Sequence, residues 1–372
     1  MMWPWLLQLL IPGASGKVAV VSLATNDYYA KGAFVALHSA GLHSGVDVDR
    51  LLLVPASSKI SSDWLRRFER LNIKVVDVPD VLPSSVLQAA MEAERQRLQQ
   101  QGILEILQPM PYGGAFAKVH AWDPALGYEK ILLLDGDLLV KRRLRPLLRL
   151  EPVSAGKDLN DAFNYGVVVL KPDAVIHAGL VKLLMHASED DLRRYNTRKS
   201  SEVGLCDQTL VAGYVAEKTS LHFFEEARTK DAGTPKLMSS EFNLVVSYRA
   251  KDRCEDPRER RQIDKARLVH FANHWLNFEA LIENREAPGR VDSPRCYKAA
   301  FRYWHDIYHH GLQLSQLAET DPPVLPRYKA MEPQEDGMAT PDDVKDMFLS
   351  FQDIKSNFSN SRGQDGSKDV EL

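Results

Sequence analysis

Apolar positions in the first half of the chain follow two alternating patterns. Lys17 to Leu23 (Lys-Val-Ala-Val-Val-Ser-Leu) is a near-continuous apolar run, the form of a strand buried on both faces. Tyr29 to His43 instead sets Ala33, Leu37 and Ala40 at helical spacing. The alternation then repeats: Arg50 to Pro55 reads as a strand, Ser61 to Leu71 as a helix and Ile73 to Val78 as a strand. Ala115 to Trp122 predicts a short helix feeding the apolar run that ends at Asp135, and Phe163 to Leu170 predicts a further strand stopped by Pro172. Strands alternating with helices point to an α/β, Rossmann-like fold with a mostly parallel central sheet of right-handed βαβ units. Ser188 to Glu202 and Ala250 to Lys265 mix both signs of charge and are read as solvated loops. No internal repeat is visible.

After Gln316 the pattern fades: prolines cluster and acidic residues outnumber basic ones, so 316–372 reads as an acidic linker or tail. Within it, Thr340-Pro341-Asp342-Asp343 supplies an N-cap, a first-turn proline and a capping acid. Val344, Met347, Phe348, Phe351 and Ile354 then make an amphipathic stripe. Residues 1–16 form a short apolar leader ending in Ala14-Ser15-Gly16, which has the form of a signal-peptidase site. No Lys or Arg precedes it, so a cytoplasmic location is expected, with the secretory pathway as the alternative. The expected organisation is therefore leader 1–16, catalytic domain 17–315 and tail 316–372. Composition narrows the function classes. A net charge of −3 gives no electrostatic case for a nucleic-acid partner. Three cysteines in no metal-ligand spacing suggest neither a disulfide framework nor a zinc cluster. No apolar run is long enough to span a membrane. Oligomeric state is not fixed by any feature, and a homodimer is compatible with all of them.

The candidate chemistry begins at Ile131-Leu-Leu-Leu-Asp135-Gly136-Asp137-Leu138. Open α/β sheets present ligand-binding groups at the C-terminal ends of their strands. Two carboxylates one residue apart there offer hard oxygen donors to Mg²⁺ or Mn²⁺, and Gly136 permits close backbone approach. Taken alone, Asp-Gly-Asp could equally be an ordinary strand end and turn. Five further segments accompany it in order: Leu23-Ala-Thr25-Asn26-Asp27-Tyr28-Tyr29, Ala117-Lys118-Val-His-Ala-Trp122, Phe163-Asn164-Tyr-Gly166-Val, Cys206-Asp207-Gln208 and Leu268-Val-His270-Phe271.

Together these segments, from Lys17 to Phe278, resemble the family-8 glycosyltransferases, the group that holds glycogenin and galactinol synthase. The resemblance implies a GT-A fold, a UDP-sugar donor, a divalent cofactor (Mn²⁺, or Mg²⁺) and retention of anomeric configuration. It implies that Asp135, Asp137 and His270 are the metal ligands. Leu23, Thr25, Asn26 and Tyr29 would hold the nucleoside, with Gly136, Lys118 and Asn164 also at the donor. Lys118 would face the departing diphosphate, while Asp207 and Gln208 would lie beneath the anomeric carbon. Retaining chemistry allows either an enzyme nucleophile or same-face attack by the acceptor, and both remain open for Asp207. Without the resemblance, Asp207-Gln208 also reads as a cap for a helix at Thr209 to Val215.

Departures from the family pattern concern the donor sugar. Leu276 stands near the place of a diphosphate-binding lysine, Asn273 replaces a glycine, Gly204 replaces an acidic residue, and an arginine ahead of Lys118 is absent. Tyr248 is only a loose counterpart of the self-glucosylated tyrosine of glycogenin, and self-priming is not expected. The acceptor implied is a sugar, a polyol or a glycan, read by loops such as Gln108 to Gly114 and Ser188 to Glu202. Two other classes compete: a catalytically weakened UDP-sugar-binding or scaffold protein, and a nucleotidyltransferase. The latter would want a Gly-rich basic loop after the first strand, which Leu23 to Gly32 lacks. His305 and His309 superficially resemble a zinc-protease helix, but Asp306 replaces the glutamate and the surrounding aromatics favour a packed helix.

Overall fold

The computed structural model describes residues 17–44, 46–100, 114, 116–157, 163–195, 207–219, 222–223, 242–245, 264–271, 278–283 and 298–317. The expected leader, the tail helix at 340–354, Tyr248, Gly204 and 272–277 lie outside them. Among the described residues a seven-stranded sheet is built from β1 (Val18–Leu23), β2 (Asp49–Pro55), β3 (Ile73–Val78), β4 (Lys130–Leu134), β6 (Ser154–Lys157), β7 (Phe163–Leu170) and β8 (His222–Phe223), in the order β3-β2-β1-β4-β7-β6-β8. A three-stranded sheet has β10 (Leu268–His270) between β5 (Leu138–Val140) and β9 (Leu244–Val245). In the large sheet β3, β2, β1 and β4 pair in parallel. β7 alone is reversed, antiparallel to both β4 and β6. The α/β fold with a mostly parallel central sheet is thus present, and the expected strands agree with the observed ones to within a residue.

Both faces of the sheet are covered, which is why the strands are apolar at nearly every position. Val20, Leu52, Leu132, Leu134, Val167 and Val169 enter one core with Phe34, Trp64, Phe68, Trp304 and Tyr308. That layer holds α1 (Asp27–His43), α2 (Ser62–Arg70) and the C-terminal helix. The alternate residues Ala19, Val21, Leu51, Leu53, Ile131, Leu133, Val168 and Leu170 enter the other core. A 3-10 helix (Phe116–Trp122) and α5 (Ala174–His186) cover that side, and α3 (Ser85–Gln100) adds Leu87 and Met91 to it. A short α4 (Arg145–Leu148) follows β5.

The solvated-loop expectation for Ser188 to Glu202 needs correction. Glu189–Tyr195 is a helix, α6, with Tyr195 buried against Tyr214 of α7 (Asp207–Lys218). Charge mixing hid two apolar contacts, buried Tyr195 and partly buried Leu192, and i,i+3 and i,i+4 pairs from Arg193 to Asp190 and Glu189 explain the mixture. Helix α8 (Phe278–Glu283) and the C-terminal helix α9 (Lys298–Leu317) complete the chain described. In α9 Trp304, Ile307 and Tyr308 are buried, as the packed-helix reading of the His305–His309 segment requires.

Candidate active site

Strand order places the site. β1 continues to β2 on one side, while its other neighbour is β4. The C-terminal ends of β1 and β4 therefore flank the point where strand order reverses, where open α/β sheets form a ligand crevice. β1 delivers Leu23, Thr25 and Asn26 to this crevice, and β4 delivers Asp135. The Thr25 carbonyl accepts from Lys59 N at 2.8 Å, tying the β1 end to the segment after β2. Asn26 is the N-cap of α1, its Oδ1 accepting from Tyr29 N at 3.1 Å, so any contact with a nucleotide falls to its amide NH₂ or backbone. Gly114, the one described residue of the expected acceptor loop at 108–114, packs against the Thr25 methyl.

The antiparallel pairing of β7 with β4 brings Asn164 and Gly166 back beside Asp135, whose N–H donates to the Gly166 carbonyl at 2.9 Å. The turn Asp135-Gly136-Asp137 then passes the chain into β5. β10 pairs antiparallel with β5, setting His270 opposite Leu138, and Phe271 N donates to the Asp137 carbonyl at 2.9 Å. One ligand atom each from Asp135, Asp137 and His270 thereby lies within 4.8 Å of the others. The three expected metal ligands are brought together from elements 135 residues apart in sequence.

The donor set fits a divalent cation on structural grounds. Asp137 Oδ1 is buried and accepts no hydrogen bond among the described residues; its nearest cationic neighbour is His270 Nε2, at 3.2 Å. His270 Nδ1 lies 3.0 Å from Asn243 Oδ1. With the amide in that orientation its oxygen only accepts, so Nδ1 keeps its proton in both charge states, and in the neutral ring that would bind metal Nε2 presents its lone pair beside Asp137. Asn243 is a residue that sequence reasoning passed over: it stands 27 positions from its partner in no motif. At Gly166 a Cβ would stand 2.5 Å from His270 Cε1 and 3.0 Å from both Asp135 Oδ2 and Asn164 Oδ1, so the missing side chain is what leaves room among the ligands. Two carboxylates and one imidazole suit Mn²⁺ or Mg²⁺.

Lys118, on the 3-10 helix, places Nζ 2.6 Å from Asp135 Oδ1 and 5.7 Å from the centre of the Tyr165 ring. Burial pushes the Asp135 carboxyl up, with the Lys118 charge opposing and the Asp137 charge adding to the rise. Burial also acts on Asp137, but His270 and Lys118 outweigh it and hold that carboxyl below its ordinary value. The two carboxylates are thus electrostatically unequal. Tyr29 is half-buried, edge-on to Tyr28 at 5.4 Å. Burial, Tyr28 and the charge of Asp137 push its hydroxyl up to about 12, so it stays a neutral ring at the crevice. Asn164 Oδ1 accepts from Gly166 N at 2.9 Å, which stiffens the turn of β7 next to the ligands. Asp207 and Gln208 open α7 as helical residues, and only their backbone is described. Asp207 is the first residue of the helix, whereas the capping alternative put the helix start at Thr209.

The crevice and the Asp-Gly-Asp turn are held in fixed relation by α1. A Cβ at Gly136 would meet Ala33 N at 3.2 Å, and one at Gly32 would collide with the Gly136 carbonyl and the Phe278 ring. Helix and turn touch backbone to backbone.

No protein-family model matches the chain. Homo sapiens glycogenin-2 is 31% identical over 324 residues, which is 84% of this chain and 52% of that protein. Homo sapiens glycogenin-1 is 30% identical over 167 residues, 44% of this chain and 42% of that protein. The chain spans about half the length of these curated relatives, or less. Among solved structures, galactosyltransferase LgtC in complex with donor and acceptor sugar analogues is similar at a TM-score of 0.45 and 16% identity, over 78% of this chain and 95% of that one. No helix among the described residues is long and apolar enough to cross a membrane.

Proposed function

We propose that this chain is a glycogenin-like, family-8 glycosyltransferase that moves a hexose from a UDP-sugar to a sugar, polyol or glycan, forming an α-glycosidic bond. The observation that carries the reading is the convergence of Asp135, Asp137 and His270 at the switch point, with Asp137 Oδ1 buried and His270 oriented by Asn243. Similarity to the glycogenins supports it.

Asp135, Asp137 and His270 would hold a divalent cation, which when bound supplies Lewis-acid stabilisation of the diphosphate leaving group. The α1 start, with Thr25, Asn26 and Tyr29, binds and orients the nucleoside. Lys118 sits beside Asp135 as a second positive charge; its ammonium meets the negative charge that grows as the glycosidic bond breaks. In the resting protein Asp135 holds that ammonium in position, and the diphosphate competes for it on binding. Asn164 faces the donor from β7. By the family resemblance, Asp207 and Gln208, at the head of α7, lie beneath the anomeric carbon, where Asp207 serves either as nucleophile or, with Gln208, as a group that orients the sugar and stabilises positive charge.

The test is transfer and hydrolysis with purified protein across a panel of UDP-sugars, with and without Mn²⁺, and anomeric configuration read by NMR proton coupling. An α-linked product formed only with metal is expected. A β-linked product overturns the family reading, and UDP-sugar binding without turnover places the chain in the scaffold class.

A further inference from the structure

A second polar cluster lies between the 3-10 helix and α5. His120 is buried, and its Nε2 lies 3.0 Å from the Pro79 carbonyl oxygen. A carbonyl only accepts, so Nε2 carries the proton and Nδ1 presents a lone pair in the neutral ring. That Nδ1 is 3.0 Å from His177 Nε2, the two rings meeting at 61° with centres 5.1 Å apart. Beyond the second ring, His177 Nδ1 is 3.9 Å from Asp123 Oδ2. The other carboxylate oxygen, Oδ1, is already engaged, accepting from Ala125 N at 2.9 Å. One ligand atom each from His120, Asp123 and His177 lies within 4.8 Å of the others.

The frame around these side chains is built before any ligand arrives. Asp173 caps α5 through Val175 N and Ile176 N, and its own N–H donates to the Trp122 carbonyl at 2.9 Å. Asp123 N donates to the His120 carbonyl at 3.0 Å. The start of α5 is thereby locked to the end of the 3-10 helix, with His177 one turn into α5. His177 and Asp123 keep 18% and 34% of their side-chain surface exposed, which gives an ion a route in.

We propose that His120 Nδ1, His177 and Asp123 Oδ2 form a second divalent-metal site, selective for Zn²⁺ over Mn²⁺ and distinct from the Asp135–Asp137–His270 centre. Two imidazole nitrogens and one carboxylate are the donor set of open three-ligand zinc sites, with a water completing the tetrahedron. The nitrogen-rich set places Zn²⁺ above Mn²⁺, whereas the carboxylate-rich centre suits the harder ion. Pro79 performs the outer-shell task of fixing the His120 tautomer. Without metal, neutral His177 carries its proton on Nε2 and donates it to His120 Nδ1; on metal binding that proton moves to His177 Nδ1 by tautomer exchange, and the ion takes its place between the two rings. The ion would staple the 3-10 helix, which carries Lys118 two residues before His120, to α5.

The experiment uses the full chain, stripped with chelator, with Co²⁺ as spectroscopic probe and Zn²⁺ and Mn²⁺ as competitors, in an Asp137→Asn background that silences the first centre. One Co²⁺ per chain with tetrahedral d–d absorption, displaced by Zn²⁺ but not by equimolar Mn²⁺, is expected. Asp123→Asn in that background keeps the acceptor that caps Ala125, so folding is safeguarded, and should weaken Zn²⁺ binding about 10-fold or more. His177→Ala should weaken it about 100-fold or more. Absence of Co²⁺ and Zn²⁺ binding, or binding unmoved by either substitution, overturns the proposal and leaves His120 and His177 as a hydrogen-bonded contact. Because the readout is metal stoichiometry and not sugar transfer, its failure is separable from failure of the proposed activity.

Discussion

Asp137→Asn keeps the shape of the side chain at the turn and removes the charge, leaving the buried Oδ1 as a weak neutral donor to metal. Mn²⁺-dependent turnover should fall by ~10²–10³, with a matching loss in Mn²⁺ titration and little change in thermal midpoint of the metal-free protein. Lys118→Ala tests a different quantity. Its ammonium meets a charge that grows in the transition state, so kcat should drop more than donor KM rises; a raised KM at constant kcat would make it a uniform binding contact. Asn243→Ala leaves His270 Nδ1 without its acceptor, and the ring loses its fixed tautomer. Mn²⁺ affinity should weaken 10- to 100-fold while UDP binding without metal is unchanged, and an unaltered Mn²⁺ isotherm would show that Asn243 only packs. Of the proposed ligands, Asp135 and Asp137 were legible because they end an apolar run, whereas His270 was legible only through the resemblance of its segment to the family-8 pattern. Asn243 was not: its role exists only through a contact across 27 residues, and nothing local to Phe242-Asn243-Leu244 marks it.

Helix α9 returns over α1 along a seam of histidines. His38 Nε2 is 3.1 Å from His310 Nδ1, and His43 Nε2 is 2.6 Å from the Tyr303 hydroxyl. Burial holds His43 and His310 near 4, and burial with the neighbouring His310 puts His38 well below its ordinary value. Folded values below the unfolded one of about 6.5 mean the unfolded chain takes up protons first. Stability is therefore full above about pH 6.5 and declines as pH falls toward 4, by on the order of 3 kcal/mol each for His43 and His310, with His38 acting in the same direction. The thermal midpoint should drop across that window, and His310→Gln, which stays neutral, should flatten the drop. A profile unchanged by the substitution would assign the acid sensitivity elsewhere. Among elements, those with a strong period were legible: β1, α1, β2, α2, β3 and β7. Helix α6 was not, since Leu192 and Tyr195 alone among charges make too short a stripe to show a period. The reversal of β7 was not either, because an apolar strand reads the same in both directions, yet it is this reversal that returns Asn164 and Gly166 to Asp135.

Across the whole molecule, the proposed metal ligands belong to two sheets. Asp135 leaves β4 of the seven-stranded sheet, while Asp137 enters β5 and His270 ends β10 of the three-stranded one. An ion shared by them joins the sheets, so loading should stabilise the fold by about 2.7 kcal/mol at a hundredfold excess over Kd. Hydrogen exchange should slow most in β9 and β10, whose pairing is confined to this small sheet. Equal protection everywhere would place the ion on one sheet alone. The backbone contact between α1 and the Asp-Gly-Asp turn bears on how such a chain can change over generations. No residue of α1 is fully exposed, and within it Gly32 forms with Gly136 a joint with no clearance, where even one methyl at Gly32 must displace a main-chain carbonyl and an aromatic ring. Mutations there are coupled: a step at one glycine survives only after compensation at the other or at Phe278, so the pair should behave as a single inherited character.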